Sequence, residues 1–344
     1  MARKINLRHA VHVCAQRYRQ YAQDKRDKEE FERRCKVLKL DIPWKDYLRA
    51  RKQTGCGVRE YFAFEFYNKD DALRDSFLTL KRHDVIAKKV GDVNLAITIP
   101  GNKVLFNMLF GEFLRRKWIN PTAASPEAFV DFVRQQGEVL VKASIICSGQ
   151  GIYKYRYTDE ASARALYKDL YGGGYVVEEV LRQHPEMDRI NPHVINTVRV
   201  ATYTDADDVH ILATALRTAS VSREGHCVDN MKAGGLGCPV DAESGKIWAP
   251  AFNVRLERFD VHPVTGTAFV GFQLPMWDHV LATVRSIARK AYLLPQCHYL
   301  GSDVAFTPDA PAVIEGNWQQ GCDIIEYGGQ KGIYHELLRL SDKR

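Results

Sequence analysis

Residues 299–318 constrain the fold more than any other stretch of this chain. Tyr299-Leu-Gly-Ser-Asp303-Val-Ala-Phe306 and Ala312-Val-Ile-Glu315-Gly-Asn317-Trp318 are short apolar runs on either side of a Pro-Asp-Ala-Pro turn. That pattern predicts a β-hairpin. Glu315 and Asn317 stand two apart, so a strand puts both on one face. If the hairpin is symmetric about Asp309, Asp303 lies opposite Glu315. Facing carboxylates repel, which suits an oxygen-liking cation between them. Mg²⁺ is the candidate, because it takes few protein oxygens and leaves room for phosphates. The bland alternative is a surface hairpin with scattered acids. A one-residue slip would turn Asp303 to the other face.

A length of 344 residues allows one large or two ordinary domains. Net charge is +7, unevenly spread: residues 1–52 hold 16 Lys/Arg against 7 Asp/Glu, and the remainder is slightly acidic. The basic segment suits a membrane surface, an acidic partner or a solvated helix. A basic stripe with interleaved Tyr also suits RNA, but no nucleic-acid motif accompanies it, and nucleic acid is not expected. No apolar run approaches the ~18–20 residues of a membrane span. Met-Ala-Arg-Lys-Ile-Asn-Leu-Arg lacks the apolar core of a signal peptide. The eight cysteines are scattered and form no Cys-x-x-Cys, so neither a zinc site nor a redox pair is indicated, and the pattern fits a reducing cytoplasm.

Taken in order, residues 5–40 predict a helix, with Val11, Cys14, Tyr18 and Tyr21 at 3–4 spacing and Pro43 as its breaker. A short helix runs from Trp44 to Gly55. Tyr61–Tyr67 is an aromatic cluster whose even spacing allows a strand, and Asp70–Leu80 reads as helix through Leu73, Phe77 and Leu80. Residues 1–90 therefore read as a helical module packed on the remainder of the chain. From about 95 the texture becomes mixed: Leu95-Ala-Ile-Thr-Ile predicts a strand, and a helix begins at Lys103. Ser125-Pro126 starts another helix.

Four stretches carry chemistry. Val139-Leu-Val-Lys142-Ala-Ser144 is a strand with one lysine among apolar residues, and a buried lysine needs an anionic partner. Ser148-Gly149-Gln150-Gly151, directly after it, suits backbone N–H groups approaching phosphate oxygens, although it is not a Walker A sequence. Tyr175–Leu181 is a strand ending in Glu178 and Glu179, which could accept from a purine amino group or a ribose hydroxyl, or simply be solvated. Asn196–Tyr203 alternates, with Arg199 on one face. Val209–Leu216 returns to Arg217, so the two arginines could lie close on adjacent strands and bind phosphate or carboxylate. The plainer reading of that pair is a salt bridge to Asp or Glu. Asp229-Asn230 opens a Gly-rich loop before Pro239. Lys246-Ile-Trp248 resumes a strand, His262-Pro-Val-Thr-Gly266 is a turn, and residues 277–293 predict a helix.

The order and spacing of these pieces resemble the ATP-grasp superfamily. They are Glu138–Lys142 with the Ser148–Lys154 loop, Val176-Val-Glu178-Glu179, Asn196-Thr-Val-Arg199-Val, Val228-Asp229-Asn230 to Gly237, His262–Gly266, and Asp303 to Asn317. The resemblance covers about residues 95–330 and is closest to the sugar-transfer-associated branch, found near polysaccharide biosynthesis genes. The loop has fewer glycines than many members. The resemblance implies an α+β fold of two lobes clasping ATP: residues 1–94 as a helical basic module, 95–180 and 181–335 as the lobes, 336–344 as a tail. It implies Lys103 and Lys142 on phosphates, with Ser148, Gly149, Gln150 and Gly151 closing over them. Glu178 or Glu179 would meet the nucleoside. Arg199 and Arg217 would neutralise a transferring phosphoryl group or acyl phosphate, and Asp303, Glu315 and Asn317 would carry one or two Mg²⁺, or Mn²⁺ in their place. Asp229, Asn230 and His262 are acceptor-side candidates, although a structural turn histidine competes for His262. The implied activity is a carboxylate ligase joining an acyl phosphate to an amine or other nucleophile. A sugar or polyol kinase and an inactive nucleotide-binding scaffold are the alternatives.

Overall fold

The charged N-terminal stretch becomes helical where its few apolar residues recur at helical spacing. A computed structural model describes residues 7–90, 94–145, 151–221, 234–294, 296–318 and 323–342. Helix α1 spans Leu7–Leu38, α2 Trp44–Thr54, α3 Val58–Ala63, α4 Asp71–Asp75 and α5 Leu80–Val90. Phe31 of α1 is buried against the rings of Trp44, Tyr47, Tyr61 and Phe62, with centroids 5.2–5.8 Å apart. The aromatic cluster is no strand. Tyr61 and Phe62 close α3, and Phe66–Asn68 forms a 3₁₀ turn, so the rings pack inward together. Asp70–Leu80 is two helices rather than one: Asp70 caps α4 through Leu73 N–H (2.8 Å), and the chain breaks before α5.

Leu95–Ile99 is also not a strand. It lies in α6 (Asn94–Gly101), followed by α7 (Lys103–Leu109). A short apolar run supports either state. Here Asn102 caps α7, its Oδ1 accepting from Val104 and Leu105 N–H. Pro100-Gly101 closes the preceding helix, and α6 packs along the outermost strand of the larger sheet.

The rest of the chain builds two antiparallel sheets. The smaller has the order β1 (Trp118–Ile119), β4 (Tyr175–Glu179), β2 (Glu138–Ala143), β3 (Ile152–Arg156). Helices α8 (Pro126–Gln136) and α9 (Glu160–Leu170) cover it, with Phe129, Val133, Leu166 and Leu170 on Val139, Val141 and Val177. Short helix α10 (Pro185–Asp188) leads to β5 (Thr197–Thr204), β6 (Val209–Ala219), β7 (Gly235–Val240), β8 (Ala251–Phe252) and β9 (Arg258–Phe259). After α11 (Trp277–Leu293) come β10 (Tyr299–Phe306) and β11 (Pro311–Trp318), and the larger sheet runs β11-β10-β5-β6-β7-β8-β9. Lys246–Trp248 forms isolated bridges to Gln273 and Val240 instead of a strand.

Period-2 alternation then sorts the larger sheet's residues. Val198, Val200, Leu216, Leu300 and Val304 face α11. Ala201, Tyr203, Ala215 and Tyr299 face the N-terminal module, whose Phe77, Leu78, Ile86 and Val90 share cores with them. Helices α12 (Asp323–Gly329) and α13 (Tyr334–Ser341) complete those cores through Tyr327, Leu337 and Leu340. Each large apolar side chain so buried contributes about 1.5–3 kcal/mol, which makes the module part of the folded body. No helix among the described residues is long and apolar enough to cross a membrane.

Candidate nucleotide and metal site

The hairpin places its acids through a device that its turn alone does not provide. Phe306 pairs with Pro311, Ala305 with Ala312 and Val304 with Val313, which centres the turn between Pro308 and Asp309. Carried on without a break, that register would set Asp303 against Ile314. A bulge between Asp303 and Val304 takes up Ile314, and Asp303 pairs with Glu315. Because β11 is an edge strand, the extra residue disturbs only one ladder. The next residue, Gly316, must be small: a Cβ there would lie 2.8 Å from the Phe106 ring.

Glu315 is not Asp303's strongest neighbour. Across β5, Asp303 pairs with Arg199, and its Oδ1 accepts from Arg199 Nε (2.7 Å) while Oδ2 accepts from Arg199 Nη2 (2.6 Å). Arg217, on the same face of β6, donates from Nη1 to Oδ2 at 2.6 Å. Asn317 Nδ2 approaches the same oxygen at 3.4 Å. Burial alone would raise the Asp303 pKa, but the two guanidinium groups lower it below the usual carboxylate range. The two arginines do meet on the sheet, and they meet on a carboxylate. Glu315 turns its Oε2 towards Lys103 Nζ of α7, 3.9 Å away.

A second ion cluster sits in the smaller sheet. Lys142 on β2 is buried, and its Nζ lies 2.6 Å from Glu178 Oε2 on β4. Glu178 Oε2 also accepts from Arg116 Nε (2.8 Å), and Oε1 accepts from Arg116 Nη2 (3.0 Å) and Asn107 Nδ2 (2.9 Å). Burial would raise the Glu178 pKa, but Arg116 and Lys142 hold it well below the ordinary range. Burial depresses the Lys142 ammonium, with Glu178 and then Glu315 opposing. Glu315 thus lies within electrostatic reach of both lysines. Lys103, Phe106 and Asn107 reach Glu315, Gly316 and Glu178 from one face of α7, at i, i+3 and i+4. That spacing was a readable signal for Asn107. Arg116 had none, since Arg115-Arg116-Lys117 reads as a solvated charge run.

The other candidates fall elsewhere. Glu179 is half-buried at the strand end, and its Oε2 accepts from Lys117 N–H at 2.9 Å. Gly151, with φ of 69°, turns into β3, its carbonyl accepting from Ala143 N–H. Ser148, Gly149, Gln150, Asp229 and Asn230 lie outside the described residues. His262 is fully buried; its Nε2 meets the Ala219 carbonyl at 2.9 Å and its Nδ1 accepts from Val264 N–H at 3.2 Å. Those partners fix the tautomer and tie the 262–267 turn to the end of β6.

Among the described residues, Lys103, Lys142, Arg116, Arg199 and Arg217 converge on the carboxylates of Glu178, Asp303 and Glu315. Lysines and arginines gathered in this way suit phosphate oxygens. Among the described residues no three His, Cys, Asp or Glu side chains gather in a way that could hold a metal unaided. Two carboxylates and an amide on one face of the β10–β11 hairpin suit instead an ion that brings phosphate oxygens with it, as Mg²⁺ does.

Two antiparallel sheets, each covered by helices, make the two α+β lobes of an ATP-grasp fold. A family model described as sugar-transfer associated ATP-grasp matches residues 131–342. The chain belongs to that family. By structure it is similar to D-alanyl-alanine synthetase A from Vibrio cholerae, at 13% identity and a TM-score of 0.44, covering 72% of this chain and 66% of that one. It is also similar to D-alanine–D-alanine ligase from Bacillus anthracis, at 14% identity, a TM-score of 0.43, and 72% and 68% coverage. The ATP-grasp ligase PsnB, at 14% and 0.42, is covered to 61% by a match over 73% of this chain. No curated protein matches the chain in sequence.

Proposed function

We propose that this protein is an ATP- and Mg²⁺-dependent ligase that activates a carboxylate as an acyl phosphate and joins it to an amine or other nucleophile. One observation carries the reading: among the described residues, Lys103, Lys142, Arg116, Arg199 and Arg217 converge with Glu178, Asp303 and Glu315 from both sheets and the helix α7 between them. Lys103 and Lys142 would hold phosphates, with Ser148–Gly151 above them. A phosphate competing for Lys142 would free one acceptor position on Glu178, which otherwise has two donors on each oxygen. Glu178 and Glu179 would then serve the nucleoside. Arg199 and Arg217 would neutralise charge on the transferring phosphoryl group. Asp303, Glu315 and Asn317 would hold Mg²⁺, or Mn²⁺ in its place; when bound, the ion bridges phosphates and offsets their charge. Asp229 and Asn230 fall to the acceptor side, and His262 supports that side's turn. The module, two lobes and tail are proposed at 1–94, 95–180, 181–335 and 336–344.

A carboxylate acceptor fits better than a hydroxyl. Phosphorylating a hydroxyl calls for a base to take its proton. Asp303 and Glu178 have lowered proton affinity because arginines hold them ionised, so both are weak bases. A carboxylate nucleophile arrives already deprotonated, and positioning with charge neutralisation is then sufficient. The family's description supports a sugar acid or a glycan-linked carboxylate, in polysaccharide or sugar-conjugate synthesis in the cytoplasm. A phosphate-release screen with ATP, Mg²⁺ and pools of carboxylic acids and amines, followed by mass spectrometry, tests this. Release only when both acceptors are present supports the ligase. A phosphorylated hydroxyl product without free phosphate contradicts it.

A further inference from the structure

Arg116 lies between α7 and β1 and reaches both sheets. A guanidinium has five N–H groups, and each of these has a partner. Nε and Nη2 grip the two oxygens of Glu178 on β4 (2.8 and 3.0 Å). Nη1 donates to the carbonyls of Leu114 (3.3 Å) and Val313 (2.7 Å), and Nη2 donates to the carbonyl of Ile314 (3.0 Å). Its side chain is 1% exposed. Val313 and Ile314 are the residues at the bulge that brings Glu315 opposite Asp303.

We propose that Arg116 is a positioning residue that sets the register of β11 and thereby keeps Glu315 and Asn317 on the face of Asp303. A bulge leaves one residue outside the ladder, and buried carbonyls without donors are costly. Arg116 supplies donors to both carbonyls, so the bulged register is favoured over a straight one. The straight register would turn Glu315 and Asn317 away. The planar fork matters, because it spans two carbonyls and a carboxylate together; a lysine provides only a point charge. The same side chain joins the partner of Lys142 to the metal-side strand, coupling the phosphate and metal ends of the site. This functional consequence rests on the nucleotide reading, whereas the register itself does not.

Full-length Arg116→Lys and Arg116→Gln test the proposal by two measurements. In hydrogen exchange without ligand, amides of 312–318 and of β10 should exchange about tenfold faster or more, while α8 and α9 stay unchanged. In calorimetric titrations, the gain in ATP affinity from Mg²⁺ should fall about tenfold in Arg116→Lys. Unchanged hairpin exchange in either folded variant overturns the register role, as does an even rise across both sheets. Equal loss of ATP affinity with and without Mg²⁺ overturns the positioning role. If wild-type protein binds no ATP, the nucleotide reading fails, and the exchange measurement still decides the register.

Discussion

Replacing Asp303 by Asn removes one charge and leaves the side chain's size unchanged. Three charge-assisted bonds of 2.6–2.7 Å end on this carboxylate. Arg199 and Arg217 are 10% and 6% exposed at the side chain, so water offers little relief once the carboxylate is gone. Removing one partner of a buried ion pair costs about 3–5 kcal/mol; here one carboxylate accepts from two guanidinium groups. An Asn oxygen accepts from one guanidinium and its NH₂ faces the other, which places Asp303→Asn within that range. The melting temperature should fall by roughly 10 °C. Urea unfolding at neutral pH gives the free energy directly. Tripolyphosphate should restore more stability to the variant than to wild type, since it supplies the missing negative charge. A loss below about 1 kcal/mol, the range of exposed pairs, would refute the claim that Asp303 neutralises two buried arginines.

Lys142→Met should weaken ATP binding by about tenfold or more by calorimetry, while Arg116 still neutralises Glu178 and the chain stays folded. His262→Ala should lower unfolding free energy by about 2 kcal/mol, because it empties the space of a fully buried ring and leaves Val264 N–H without its acceptor; turnover, once a substrate is in hand, should change by less than about threefold. Glu326 is buried with its oxygens on the N–H groups of Leu78 and Ile333, and burial pushes its pKa up to about 8. The folded state therefore holds a proton that the unfolded chain releases near 4.5. Stability from this group is full at low pH and falls as pH rises towards 8, by on the order of 2–4 kcal/mol. Glu326→Gln should flatten that slope in unfolding measurements at pH 5 to 8.5.

The features legible in the residues were local ones. Alternation put Arg199 and Arg217 on one face, and apolar surroundings marked Lys142 as needing an anion. Its partner is Glu178, a residue also legible as a strand-end acid, but the pairing depends on sheet order, which local pattern does not carry. Asp303 and Glu315 do face each other, through a bulge at Ile314 rather than a symmetric turn. Arg116 was illegible because its partners lie 62 and about 200 residues away and its neighbours are charged. Leu95–Ile99 misled because a short run with four apolar residues fits a strand or a helix equally well; in the fold it is helical and packs along β11.

The proposed chemistry requires a carboxylate oxygen to attack the terminal phosphorus of ATP. Carboxylic acid pools labelled with ¹⁸O in the carboxyl group, incubated with the enzyme, ATP, Mg²⁺ and a nucleophile pool, test this directly by mass spectrometry of the released phosphate. An acyl phosphate captured by the nucleophile leaves one labelled oxygen in that phosphate, and this is the result expected. Turnover that releases only unlabelled phosphate, or that leaves the phosphoryl group on a hydroxyl, would contradict the ligase chemistry.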